Sequence, residues 1–304
     1  MTTAGWTLPQ GFDRRLTPAR PDLAAAGLRG VVAAARYAEG RPMRLCREAV
    51  PLRKVPDEAV AWDTQVLFGE DVLVFDEAEG WAWVQLLKDG YVGYLRAASL
   101  VPDGTAITHK VCVPRTFVYP SANIKLPPIM ALPLGARVAI ADDDGTFAQV
   151  QGFAQGLGFI WSRHLCMHDA DEGDFVDVAR RFLFAPYLWG GKTSQGLDCS
   201  GLIQIALQAC GISCPRDSDM IGCDVGYALD PAAALTHPER GDLIFWQGHV
   251  GMMSDAETLL HANGFHMQVV EEPLAQAVAR IKDNSFGLVT GARRIRTPAQ
   301  LAQV

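Results

Sequence analysis

From Pro51 to about Leu165 the chain runs in short stretches of alternating apolar and polar residues, broken by Gly, Asp and Pro. Alternation puts every second side chain on one face of a strand, so this stretch reads as all-β. Two segments repeat each other. Gly69 to Gln85 lies over Gly135 to Gln151 without a gap, at an offset of 66. The match resumes one residue out of step, with Gly93-Tyr-Leu95 over Gly158-Phe-Ile160 and Leu100 over Leu165. Paired positions are of one kind: Val72 with Val138, Val74 with Ile140, Trp81 with Phe147, Val84 with Val150. These side chains are expected on one inward face, and the acidic turns at 76–80 and 142–145 are expected in water. Copies this short cannot make a sandwich each, which predicts two small barrels in tandem.

After His168 the period changes. Phe175, Val178, Ala179 and Phe182 fall at helical spacing behind Asp171-Glu-Gly-Asp174, predicting a helix stopped by Pro186. A second helix is predicted over 200–210, with Leu202, Ile203, Ala206 and Leu207 as its apolar face and Gly211 at its exit. Strand-like runs follow at 243–246, 250–253, 258–260 and 268–270. Helices followed by mostly antiparallel strands make an α+β domain. Residues 1–40 carry Pro9, Pro18, Pro21 and Ala-rich pieces limited by Gly27 and Gly30, which predict a docking arm, partly helical. The expected division is therefore an arm over 1–40, barrels over 41–103 and 104–168, and an α+β domain over 169–304.

Composition narrows the classes. The chain has 304 residues, 49% of them hydrophobic and 20% charged, with a net charge of −7. A phosphate backbone needs clustered cations, and no dense Lys/Arg run is present, which excludes nucleic acid as the expected partner. Arg293-Arg-Ile-Arg296 reads as a solvated edge strand. No run approaches the length of a membrane span. The N-terminus lacks the basic start and apolar run of a secretory signal, and the seven cysteines are odd in number and scattered. Both features lead to thiols in a reducing compartment, the cytoplasm.

Cys199 opens the second predicted helix. A cysteine there sits beside unpaired N–H groups and the positive end of the dipole, a setting that favours thiolate; the alternative is a small buried packing residue. A thiol nucleophile needs a base within reach and a third group to orient it. His249 starts one predicted strand and His261 ends the next, so antiparallel pairing would bring them together; the alternatives are an exposed strand-end His and a core His. His164 and His168 stand four apart, the spacing of metal ligands on a helix, but a strand end or turn is expected there, so no metal site is assigned. Cys210 and Cys214 flank Gly211 and are expected to pack against the helix end. No P-loop is present.

The motifs Tyr187-Leu-Trp-Gly-Gly, Leu197-Asp-Cys-Ser-Gly-Leu, Pro215-Arg-Asp-Ser, Arg240-Gly-Asp-Leu-Ile-Phe-Trp, Gly248-His-Val-Gly and Leu260-His-Ala, in that order over 171–297, resemble the NlpC/p60 family of papain-like cysteine peptidases. The repeats before them resemble bacterial SH3-like (SH3b) domains. The resemblance implies two tandem SH3-like barrels followed by a papain-like catalytic domain. It implies Cys199 as nucleophile, His249 as base, His261 as the orienting third member, and Tyr187 beside the thiol at the oxyanion. It implies substrate contacts from Asp198 and Ser200, the Asp198 carboxylate meeting a free α-amino group, and a D-glutamyl subsite lined by Trp189 and Ser218. Each of these has a plain alternative: Asp198 as a helix cap, Trp189 as core, Ser218 as a turn residue. In the first barrel the resemblance implies that Glu70, and less directly Tyr91, meets the substrate ammonium; the alternative for Glu70 is a solvated turn carboxylate. Ile221 stands where many relatives have Gln, a departure in the glutamyl subsite.

With SH3-like repeats and no signal, the resemblance further implies a cytoplasmic endopeptidase of murein recycling, without metal or organic cofactor. It would cut the γ-D-glutamyl to L-diamino acid bond of short cell-wall peptides with a free N-terminal L-Ala. The competing readings are a peptidoglycan-peptide binding module, and an amidase or acyltransferase built on the same Cys/His pair.

Overall fold

The computed structural model describes residues 6–102, 104–153 and 156–295. The chain divides into two compact units, Met1–Val111 with Thr116–His168, and Cys112–Arg115 with Asp169–Val304.

In the first unit the repeat extends strand for strand. The first copy orders its sheet as Leu100–Pro102, Arg41–Leu45, Asp71–Ala78, Trp81–Leu86 and Val92–Arg96. The second copy follows the same order with Leu165–Met167, His109–Val111, Arg137–Val138, then Ile140–Asp143, Phe147–Phe153 and Gly156–Trp161. Even the irregularity recurs: pairing shifts between Val74 and Asp76 in one copy and between Ile140 and Asp142 in the other. Such a bulge bends the strand and sharpens its twist. Each sheet curls far enough for Arg53 to exchange backbone hydrogen bonds with Tyr94 (3.0 and 2.7 Å), as Tyr119 does with Phe159 (2.8 and 2.9 Å). Val72, Val74 and Val84 are buried among Leu45, Leu52, Val66 and Leu95. Val138, Phe147 and Val150 are buried in the second copy, and Ile140 is half-buried.

The N-terminal arm differs from its expected helical character. Its described part makes short strands, Ala19–Arg20, Leu23–Ala25 and Arg36–Ala38, with a single 3-10 turn at Ala26–Leu28. The first copy carries a second apolar face, Phe75, Trp83 and Val92, and fully buried Leu23 covers it. The equivalent positions of the second copy are Ala141, Gln149 and Leu157, none of them aromatic. Extended backbone lies flat on such a face. The Arg20 guanidinium sits 4.6 Å over the Trp83 ring and pairs with Asp76. Asp76, expected in a water-facing turn, is thus tied to Arg20 and Arg36 instead; burial alone would raise its pKa, and the two guanidinium groups hold it below the usual range.

Gly69 marks where the two copies meet. Its φ is +77°, and a Cβ there would stand 2.0 Å from the Arg137 carbonyl oxygen, so only glycine fits. Asp71 accepts from Arg44 at 2.7 Å and from Arg137 at 2.9 Å across the same junction.

The second unit is α+β. Its antiparallel sheet runs Tyr227–Leu229, Gly291–Arg294, Leu243–Trp246, His249–Met253, Thr258–Asn263 and Gln268–Pro273. The helices are α1 Phe175–Arg180, α2 Cys199–Ala209, α3 Ser218–Asp224, α4 Pro231–Thr236 and α5 Leu274–Asn284. Helix α1 ends six residues before Pro186, the stop expected from sequence. Helix α2 is buried from Cys199 through Leu207 and packs on α1 and on the two strands that carry His249 and His261. Helix α5 buries Leu274, Ala277 and Ile281 against Ile244, Trp246, Met253 and Leu259. Gly291–Arg294 is an interior strand, not an edge: Arg294 pairs with Asp242 at 2.7 Å and Arg293 donates to the Val225 carbonyl at 2.7 Å. Arg296 lies outside the described residues.

Candidate active site

Asp198 is the N-cap of α2. One carboxylate oxygen accepts from the Gly201 amide at 2.7 Å and the other from the Gly190 amide at 2.9 Å. Arg216, fully buried, donates to the same carboxylate at 2.6 Å and to Ser200 Oγ at 2.7 Å. Ser200 Oγ also donates to Asp198 at 3.3 Å. A carboxylate has about four acceptor positions, and these four donors fill them. The cap reading of Asp198 is therefore the one its contacts support, with Ser200 locked into the same network. Gly201 has to be glycine, because a Cβ would stand 2.2 Å from the Gly191 carbonyl oxygen.

Cys199 is the first residue of α2 and is buried. Its thiol differs from the expected helix-activated thiolate. Burial, with the Asp198 carboxylate second, pushes it up to about 12. The backbone N–H groups of Val250 and Ser200 and the charge of Arg216 pull the other way and are outweighed. Burial away from water disfavours the thiolate and raises a thiol pKa.

His249 and His261 both lie within strands, which run longer than the sequence predicted. His249 Nε2 stands 2.9 Å from His261 Nδ1. The His249 ring is stacked on Phe286, 5.3 Å between centroids and 6° from parallel, with Trp246 at 5.7 Å. Burial, then the charges of His261 and Arg280, push His249 down to about 3; burial likewise lowers His261 despite its carboxylate partner. At neutral pH the thiol and both imidazoles are thus uncharged.

Tyr187 is half-buried beside this group: burial, Cys199 and Asp198 all raise its phenol pKa. Trp189 is 63% exposed, which removes the core reading. Ser218 is half-buried on the first turn of α3, and Ile221 is buried in that helix. Glu70 and Tyr91 belong to the first unit. Glu70 is 2% exposed, accepts from the Leu67 amide at 2.8 Å and lies 3.7 Å from Lys88 Nζ, so it is not a solvated turn carboxylate. Tyr91 is part of the first barrel's core. His164 bonds Thr116 Oγ1 at 2.8 Å, and no group of three metal-ligating side chains occurs among the described residues.

The sequence reading missed Arg216 and Glu272. Arg216 stood inside a quoted motif without a role. Glu272 Oε1 lies 2.7 Å from His261 Nε2 and is paired with Arg280. Val270 opposes His261 directly, so Glu272, two residues on, shares its face; the register of the paired strands was needed to see this.

A buried thiol on a helix, packed on antiparallel strands that carry paired imidazoles, is the architecture of a papain-like cysteine peptidase. Residues 185–282 match the NlpC/P60 family, and residues 52–100 match the bacterial dipeptidyl-peptidase Sh3 domain. The chain is 33% identical over 226 residues to a Bacillus subtilis protein named gamma-D-glutamyl-L-lysine dipeptidyl-peptidase, covering 66% of this chain and 71% of that one. It is 27% identical to dipeptidyl-peptidase 6 of Lysinibacillus sphaericus, covering 68% of this chain and 82% of that one. A crystal structure of an NlpC/P60 family protein from Bacillus cereus shares the fold, with a TM-score of 0.71 at 20% identity over 84% of this chain and 100% of that one. The protein belongs to the NlpC/P60 family of cysteine peptidases and carries an SH3-like domain ahead of its catalytic one. No helix among the described residues is long and apolar enough to cross a membrane.

Proposed function

We propose that this peptidase hydrolyses the γ-D-glutamyl to L-diamino acid bond of short murein peptides that begin with a free L-Ala, releasing L-Ala-D-Glu. The carrying observation is the 2.9 Å contact between His249 and His261 in a unit whose buried helix opens on Cys199. The relative named for γ-D-glutamyl-L-lysine dipeptidyl-peptidase activity supports the bond and the release of a dipeptide.

In this reading His249 takes the Cys199 proton as Sγ attacks the γ-carbonyl carbon, since both groups start neutral. The Cys199 N–H and the Tyr187 hydroxyl donate to the oxyanion. Protonated His249 then gives its proton to the leaving α-amine, and the acyl-enzyme is hydrolysed by a water that His249 deprotonates. Trp189 and Ser218 line the D-glutamyl subsite. Asp198 and Ser200 work through Arg216 to fix the start of α2. All seven cysteines are free thiols, which fits action in the cytoplasm.

Mass spectrometry of L-Ala-γ-D-Glu-meso-diaminopimelate incubated with wild type and with Cys199→Ala tests this, beside an N-acetylated copy of the peptide. Cleavage of the free peptide alone, abolished in Cys199→Ala, is the expected result. Cleavage of both peptides overturns the requirement for a free amine. No cleavage by folded wild type overturns the substrate and favours an amidase or acyltransferase.

A further inference from the structure

His261 Nε2 faces two groups that make opposite demands. Glu272 Oε1 stands at 2.7 Å and Asn263 Nδ2 at 3.0 Å. An ionised carboxylate only accepts, and an amide nitrogen only donates. The Asn263 amide is oriented by its oxygen, which accepts from the His266 backbone N–H at 2.8 Å. Nε2 can therefore satisfy one neighbour at a time: protonated, it donates to Glu272; bare, it accepts from Asn263.

This choice propagates. With the proton on His261 Nε2, Nδ1 is bare and accepts from His249 Nε2–H, which leaves His249 Nδ1 with a free lone pair. With His261 Nε2 bare, its Nδ1–H donates to His249 Nε2, and His249 carries its proton on Nδ1, where it cannot take one from a thiol. Both arrangements hold the same number of protons, so the partner at the far end decides between them. A charge-assisted N–H···O⁻ bond is roughly twice as strong as a neutral one. Burial would raise the Glu272 carboxyl, but its hydrogen bond to His261 and then the charge of Arg280, paired with the same carboxylate oxygen, hold it below the usual range.

We propose that Glu272, paired with Arg280, is a positioning residue that sets the proton order of the His249–His261 pair and so makes His249 a base toward Cys199. The proposal rests on the assignment of Cys199 and His249 as nucleophile and base above.

Imidazole ¹⁵N NMR at pH 7 reads the tautomers without any substrate. In wild type His261 is expected as the Nε2–H form; finding it as Nδ1–H overturns the proposal. Glu272→Leu is expected to move it to Nδ1–H and to lower kcat on the murein peptide about a hundredfold, within the usual contribution of a general base, with KM changed less than about twofold. Glu272→Gln keeps the shape and is expected to show the same shift in part, which covers a failure of the leucine variant to fold. Asn263→Asp added to either variant places a carboxylate where the competing amide stood. It still accepts from His266 and is expected to restore the Nε2–H form and at least tenfold in kcat. Unchanged tautomers in Glu272→Gln and Glu272→Leu, or no rescue by Asn263→Asp, overturn the proposal. If wild type shows the Nε2–H form and the variants shift it while none cleaves the peptide, the positioning role stands and the substrate reading falls.

Discussion

Arg216 donates to the Asp198 carboxylate across 2.6 Å, and both side chains are buried at the start of the helix that carries Cys199. Removing one member of such a pair leaves the other charged and unsolvated, which costs about 3–5 kcal/mol. Arg216→Met is expected to lower the unfolding free energy by that amount in urea titrations. Arg216→Lys is expected to fall short of wild type, because a single ammonium cannot reproduce a planar fork to Asp198 and Ser200. A loss below about 1 kcal/mol in Arg216→Met would remove this pair as the anchor of α2.

Neutral resting groups leave a mark in thiol chemistry. With burial setting Cys199 toward about 12 and His249 toward about 3, alkylation of Cys199 by iodoacetamide should keep rising with pH through neutrality. A preformed thiolate–imidazolium pair would instead reach a plateau by about pH 5, the range of activated thiolates. Mass spectrometry of the Cys199 peptide across roughly pH 4 to 10 separates the two.

The buried imidazoles also tie stability to acidity. A folded pKa depressed from 6.5 to about 3 means that the unfolded chain takes the proton first. The stabilisation is present above 6.5 and is lost as pH falls toward 3; at about 1.4 kcal/mol per pH unit it amounts to on the order of 5 kcal/mol for His249. His261 shifts in the same direction. The urea midpoint should therefore drop between about pH 6.5 and 5, above the range where carboxylates titrate. His249→Gln should flatten that slope. Equal wild-type midpoints at both ends would refute the coupling.

Leu23 tests the arm. It is fully buried against Phe75, Trp83 and Val92, and truncating such a leucine costs about 2–5 kcal/mol. Leu23→Ala is expected to lower the thermal midpoint of the first unit and to raise solvent quenching of Trp83. Leu157→Ala, at the exposed second-copy position that corresponds to Val92, should do neither.

What the sequence alone determined lies in short-range pattern. Alternation and the offset of 66 exposed the barrel repeat, because a strand's faces are written every second residue. The position of Cys199 at the head of α2 was legible because Asp198, a cap residue, precedes it and an apolar helical face follows. His249 and His261 were legible as a pair from their motifs and the expectation of adjacent strands.

Tertiary structure decided what depends on burial and on register between distant segments. The arm's strands came from an aromatic face that only the folded first copy presents. Arg216 and Glu272 became partners of Asp198 and His261 across 18 and 11 residues of chain, separations over which no local period speaks. The upward shift of the Cys199 thiol has the same origin. Sequence placed it at the positive end of a helix, a modest field that falls off within a turn. Folding removed its water, and burial, with the neighbouring Asp198 carboxylate second, outweighs the Val250 amide, Arg216 and the Ser200 amide.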